Sequence, residues 1–288
     1  MTARGLARAV APVAILAMVA CSRKAEPATT TVARRVVSLG PATTEALFAL
    51  GAGDAVVGRS SYCDWPPEVT KVPVVGGIEP DTEAILELRP DLVVGPSGGW
   101  SSRLADVMHE RGIATWFPDE IQSLEGVDAL VAELGARSGH SSDAARIIGG
   151  LHDRERAVEG ALTGAPRPRV LLVAELDPVY VAGPGSFADD MVRRAGGTNV
   201  VLQGGAWLTL GFERIIELDP EVVVDTSVVE TGGATRISTE AAGWRGLRAV
   251  REGHVVSLND ERVLRPGPRV AEGLAVLARA LHPGVAIP

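Results

Sequence analysis

The chain has 288 residues, of which 46% are hydrophobic and 22% charged; that composition builds a packed core and excludes extended disorder. Asp and Glu outnumber Lys and Arg by 36 to 28, for a net charge of −8, which argues against a nucleic-acid partner, since that would favour a basic face. Two cysteines make neither a disulfide scaffold nor a four-thiolate zinc site.

Residues 1–21 read MTARGLARAVAPVAILAMVAC. Arg4 and Arg8 form a basic start, and Ala9 to Ala20 is apolar apart from Pro12. This run is too short for a permanent span, which needs roughly 20 apolar residues, and it fits a signal peptide. Met18-Val19-Ala20-Cys21 resembles the bacterial lipobox. The resemblance implies that Cys21 is diacylated and becomes the first mature residue. The protein would then sit in the periplasm or on the outer face of the cell membrane, anchored by lipid. Residues 22–33, opening SRKAEPATTT, read as a flexible tether. Cys63 is left as a lone thiol, expected to be buried or bound rather than reactive, because nothing nearby except sequence-adjacent polar groups would lower its pKa.

From residue 34 the pattern alternates between strands and helices. Arg35-VVSL and Ala55-VVG read as strands, with a helix from Thr43 to Leu50 and another from Ser101 to Arg111. Glu83-AILELRPDLVV returns 130 residues later as Glu213-RIIELDPEVVV. In each copy an apolar helical face (Ile85, Leu86, Leu88; Ile215, Ile216, Leu218) ends at Pro90 or Pro220, and a buried strand follows. A helix-strand unit occurring twice points to two similar α/β lobes. Arg169-VLLVAEL and His254-VVSL add strands to the second lobe, and Asp189 to Ala195 adds a helix. Gly112, Gly196 and Gly197 stand where helix C-caps belong.

Between the lobes, Ser141 to Leu162 has a long helical composition, with Ser141 or Ser142 as its cap. Ala144, Ile147, Ile148, Leu151 and Val158 mark its buried stripe; Arg154, Glu155, Arg156 and Glu159 read as exposed charge. The expected architecture is α/β: an N-terminal lobe over 34–138, an interlobe helix over 139–165 and a C-terminal lobe over 166–288. Each lobe would carry a central, mostly parallel sheet flanked by helices. A single stiff connecting helix would permit only limited hinge motion.

Arg35-VVSLGPATTEALFALGAGDAVVG, Ser60-SYCDWPPE, Lys71-VPVVGG and Arg265-PGPRVAEGL resemble the helical-backbone class of periplasmic binding proteins. These serve ABC importers of cobalamin, haem and ferric siderophores. Ser60 to Pro67 is most similar to the signature of the cobalamin-binding members. The resemblance implies a monomeric carrier, not an enzyme, that holds its cargo in the cleft between the lobes, outside the carboxyl ends of the strands. It delivers that cargo to a permease dimer. Cobalamin or a related corrinoid is the implied ligand, and haem or a ferric siderophore is the alternative. Neither a resident cofactor nor a metal site is expected.

Tyr62, Asp64 and Trp65 lie on the strand-end loop of the signature; the rings offer flat faces to a macrocycle. Trp207, in Gly204-GAWLTLGFE, matches a ligand-facing family Trp, with Gly204 and Gly205 leaving room for close approach. Trp100 is a further aromatic at a strand end. Arg265 matches a family arginine that reaches ligand amides, and its acidic companion maps to Glu261, with Asp260 one residue away. Arg269 opens the closing helix and reads as structural. Glu83 and Glu213 match the two carboxylates, one per lobe, that dock on permease arginines, although each would also complement its helix dipole.

Other chemistries lack their residues. There is no phosphate-binding loop ending in Gly-Lys-Ser/Thr. Gly183-PGSFADDM places glycines before a helix but reads as an ordinary connection. The five histidines are scattered. Haem would need Tyr62 as its axial phenolate.

Overall fold

Aliphatic runs without polar alternation need cover on both faces, and here they form the centres of two sheets. In the first, β1 (Val36–Ser38), β2 (Val56–Arg59), β3 (Leu92–Val94) and β4 (Ala114–Trp116) run parallel in the order β2-β1-β3-β4. β1 and β3 are wholly buried. Helices α1 (Pro41–Ala49), α2 (Thr82–Glu87) and α3 (Ser101–His109) connect successive strands. Pro41 sits in the first turn of α1, where its missing N–H costs nothing, so the helix starts two residues before the expected Thr43.

The second sheet contains β5 (Arg169–Leu176), β6 (Val179–Ala182), β7 (Thr198–Asn199), β8 (Trp207–Thr209), β9 (Val222–Asp225) and β10 (Val255–Ser257). Its order is β10-β9-β5-β6-β8, with β7 beside the start of β5. The ladders β10/β9, β9/β5 and β5/β7 are parallel; β5/β6 and β6/β8 are antiparallel. The antiparallel part arises because the chain reverses within Asp177-Pro178, and a reversal that short joins only antiparallel neighbours. Helices α6 (Phe187–Arg194), α7 (Phe212–Leu218), α8 (Arg248–Arg251) and α9 (Val270–Leu281) flank this sheet. This is the two-lobed α/β architecture that the strand and helix pattern predicts.

The structure, a computed structural model, describes residues 32–228 and 235–288. The signal segment, Cys21 and residues 22–31 of the tether lie outside the described residues. Among the described residues no helix is long and apolar enough to cross a membrane.

The repeated sequence unit is also a repeated structural unit. Arg89 and Asp219, the residues before the two prolines, both take positive φ, at 46° and 40°. Proline disfavours right-handed helical backbone at the preceding residue, so each helix stops at the same step. Arg35 donates to the Leu88 carbonyl at 2.6 Å, and Arg169 donates to the Leu218 carbonyl. Asp91 accepts the backbone N–H groups of Arg34 and Arg35, and Glu221 accepts that of Arg169. Each lobe therefore uses an arginine at its leading strand to satisfy helix-end carbonyls, and an acid after its proline to hold that strand. The apolar faces are narrower than the sequence implies: Ile85 and Ile215 are buried, but Ile216 is 46% exposed.

One long helix, α5 (Ser141–Ala161), joins the lobes, as expected. α4 (Leu124–Ser138) precedes it, and the turn between them runs through Gly139. Neither serine caps α5; His140 takes that position, with its Nδ1 2.8 Å from the Ser138 carbonyl. Ala144, Leu151 and Val158 are buried, while Ile147 and Ile148 are only half-buried. Glu155 corrects the expected exposed face. It is 8% exposed and lies 3.7 Å from Arg194 of α6, which also pairs with Glu125 and Glu159. Burial pushes the Glu155 carboxyl above its usual pKa range. Asp190 of α6 accepts the Leu124 N–H at the first turn of α4, at 3.1 Å. One apolar core runs through both lobes, from Val36 and Leu47 past Leu151 to Val170 and Leu274.

Candidate functional site

Parallel strands leave a crevice outside their carboxyl ends, and the two sheets here face theirs toward one gap. The gap is a cavity of about 800 Å³, with Gly40, Pro96 and Asp119 at strand ends of the first lobe and Glu175, Thr226 and Glu261 in the second. That volume is at the upper end for small-molecule sites.

Trp207 stands in the cavity wall on β8. The antiparallel register pairs Trp207 with Ala182 and Thr209 with Tyr180. Trp207 and Tyr180 are therefore diagonal neighbours, and their rings stack at 5.7 Å and 18°. Tyr180 also lines the cavity. Sequence reasoning missed it, although the Val-Tyr-Val alternation of β6 was a usable signal. The tight position beside Trp207 is Gly183, since a Cβ on Gly205 would meet nothing nearer than 3.6 Å. A Cβ on Gly183 would lie 2.1 Å from the Gly205 carbonyl oxygen, so this close approach is backbone against backbone.

Glu261 and Arg265 also line the cavity. Glu261 Oε2 lies 2.6 Å from Arg265 Nη2, and its Oε1 lies 2.7 Å from Arg269 Nη2. Asp260 points its carboxylate into Arg262, whose hydrogen bonds hold it below the usual carboxylate range. The acid in the cavity is thus Glu261. Among the described residues lining the cavity are four carboxylates (Asp119, Glu120, Glu175 and Glu261) and one guanidinium, Arg265.

The signature loop does not line the cavity; it closes one edge. Asp64 Oδ1 accepts a hydrogen bond from Arg265 Nη1 at 2.9 Å. Arg269 lies over the Trp65 ring, 4.3 Å from its centroid, a cation–π contact that leaves Trp65 40% exposed. Tyr62 is 54% exposed. Behind the loop, Cys63 is buried; Thr44 Oγ1 donates to its sulfur at 3.0 Å, and burial pushes the thiol above its ordinary pKa. Trp100 is placed elsewhere. Its ring meets Phe117 edge-on at 5.4 Å, and it borders a separate shallow pocket beside Arg103.

Glu45, also missed, completes the edge. It lies in α1, and its Oε2 is 2.7 Å from Arg269 Nη2 and 3.8 Å from Arg265 Nη1. The available signal was Thr43-Thr44-Glu45, three polar residues inside an otherwise apolar helix, all of them buried.

The docking candidates stand apart from the cavity. Glu83 and Glu213 are exposed, each in the first turn of its helix. Asp81, not Glu83, caps α2 by accepting from the Glu83 and Ala84 N–H groups. At α6 the glycine-led turn is satisfied internally: Ser186 Oγ accepts the Asp189 N–H. Among the described residues no His, Cys, Asp and Glu cluster is arranged to hold a metal ion.

The chain is 31% identical over 258 residues to the cobalamin-binding protein of Halobacterium salinarum, covering 86% of this chain and 69% of that one. It is 27% identical to the uncharacterized ABC transporter substrate-binding lipoprotein YvrC of Bacillus subtilis, covering 87% and 80%. Among solved structures, the apo periplasmic haem-binding protein RhuT from Roseiflexus sp. RS-1 superposes with a TM-score of 0.78 at 26% identity, over 87% of this chain and 98% of that one. The periplasmic binding protein family matches residues 36–261. The chain therefore belongs to that family, and is a substrate-binding protein of an ABC transporter.

Proposed function

We propose that the cavity binds cobalamin or a related corrinoid and that the protein presents it to its permease. The observation that carries this reading is the pairing of an apolar wall, built on the Trp207–Tyr180 slab, with a carboxylate-rich rim holding one guanidinium. A flat ring system packs on the slab. Amide N–H groups around a macrocycle find acceptors in Glu175 and Glu261, and an amide carbonyl finds a donor in Arg265. Haem is the second reading, favoured by the Tyr180 phenol in the cavity. Its carboxylates, however, would face four acidic side chains.

The test is to titrate the protein from residue 22 with cyanocobalamin, haemin and a hydroxamate siderophore, following tryptophan emission and visible absorption. Saturable binding of cyanocobalamin supports the reading. Haemin held with a spectrum that changes on Tyr180→Phe or Tyr62→Phe would replace corrinoid by haem.

Glu83 and Glu213 are assigned to permease docking. Both are exposed, make no ion pair among the described residues, and occupy the same step of the two repeats. A symmetric pair of acids suits a two-fold receptor. Glu83→Ala with Glu213→Ala should leave ligand affinity unchanged and weaken binding to the reconstituted permease at least tenfold. Undiminished docking would reduce both to surface charge. Extracytoplasmic location and the lipid anchor at Cys21 belong to the same reading.

A further inference from the structure

Buried charge at the cavity edge is unevenly matched. Glu45 is only 3% exposed, yet it belongs to the first lobe while both of its cationic neighbours belong to the second. Its Oε1 accepts the backbone N–H of Arg269 at 3.2 Å, directly before α9, and its Oε2 accepts from the Arg269 guanidinium at 2.7 Å. α9 has no side-chain cap of its own. A carboxylate from the opposite lobe therefore stands at its N-terminus. Arg269 in turn holds one oxygen of Glu261, whose other oxygen holds Arg265. Asp64 approaches Arg265 from the rim. Three carboxylates thus face two guanidinia, and Arg265 is the member that lines the cavity.

We propose that Glu45 is a specificity-determining residue of the cavity: it positions Arg265 through Arg269 and Glu261, and it leaves this knot one negative charge in excess. Arg265 then donates to a neutral carbonyl of the ligand, while a ligand carboxylate is repelled by Glu45, Glu261 and Asp64. This rests on the reading that the cavity takes a macrocycle with polar substituents, and it adds which substituents are accepted. A guanidinium alone would prefer a carboxylate over an amide, so the surplus acid reverses the choice that Arg265 would make unaided.

The experiment compares matched ligands. Wild type and Glu45→Gln are titrated with cyanocobalamin and with its monocarboxylic acid derivative, in which one amide is replaced by a carboxylate. The wild type should prefer the amide form at least tenfold. Glu45→Gln should shrink that ratio to threefold or less. If both affinities fall together and the ratio holds, Glu45 is only a structural cap and the proposal is overturned. Cooperative thermal unfolding establishes that the variant is folded; should it fail, Asp64→Asn removes one charge from the exposed rim of the same knot and must shrink the ratio in the same direction. If the wild type binds neither corrinoid, the corrinoid reading fails. Haemin and its dimethyl ester then serve as the matched pair, and an unchanged ratio between them sinks the role of Glu45. Wild-type protein that binds none of the four ligands overturns both.

Discussion

Trp207→Ala is expected to weaken cyanocobalamin binding by about thirtyfold while leaving the fold in place. The indole is half-buried on β8 in the cavity wall, with Tyr180 stacked on one side. Truncating an aromatic anchor in a ligand site costs about 2 kcal/mol, and each 1.4 kcal/mol is tenfold in affinity. The fold loses less. β8 is an edge strand paired only with β6, and the half-exposed ring gives up only part of its apolar area on removal. Tyr180→Ala should have a smaller effect, and the double variant should lose less than the sum, because the two rings act as one slab. Equilibrium dialysis with absorbance detection is the appropriate measurement, since the substitution deletes a fluorescent reporter. Unchanged affinity would remove Trp207 from the ligand site.

The same small substitution should have opposite effects at two helical glycines. Gly273→Ala, in α9, is expected to lower the unfolding free energy by roughly 3 kcal/mol, the upper part of the range for overpacking. A Cβ there would stand 2.1 Å from the Arg262 carbonyl oxygen and 2.4 Å from its carbon. These are backbone atoms and cannot rotate aside, so the turn over Glu261–Val263 has to move. Alanine's helix propensity returns only about 1 kcal/mol. Because that turn carries Glu261 and leads into Arg265, cyanocobalamin affinity should fall as well. Gly150→Ala lies in α5 with no atom within 4 Å of the added methyl, and should stabilise by about 0.5–1 kcal/mol. Urea unfolding of the two variants reads both signs. Stability unchanged at Gly273 would mean that α9 can slide away from the turn at little cost.

Readings made from the chain alone succeed or fail according to the distance over which the residues interact. The paired units around Pro90 and Pro220 were visible because proline, the helix period and an uninterrupted aliphatic run all act within about a dozen residues. Arg89 and Asp219 show the backbone obeying that local rule twice. Glu155 was misread on residue type: it stands four residues after Leu151 and three before Val158, on the buried stripe itself, and Arg194 of α6 meets its carboxylate there. β6 was missed although Val179-Tyr180-Val181 alternates, because four residues carry that signal only briefly; pairing with β5 and β8 defines it. Tyr180 went with it.

The candidate site residues divide in the same way. Trp207, Glu261 and Arg265 were found through motifs and they line the cavity. Trp100 satisfied the same strand-end criterion, but its ring packs on Phe117 within the first lobe. Asp64 and Trp65 came from the signature loop, and the structure puts them against Arg265 and Arg269 at the cavity edge. Glu45 had no motif role at all until the second lobe brought two arginines to it.

From its residues alone this chain was committed to two lobes of one α/β design, with polar and aromatic loops at strand ends, because hydrophobic period and proline placement are properties of neighbours in the chain. Which of those loops share one space, and which carboxylates meet which guanidinia there, was decided by how the two sheets and helices α4, α5 and α9 pack. Tyr180, Trp207 and Arg265, which line the cavity, and Glu45 and Asp64 at its edge are far apart along the sequence, and only sheet register and the common core bring them together.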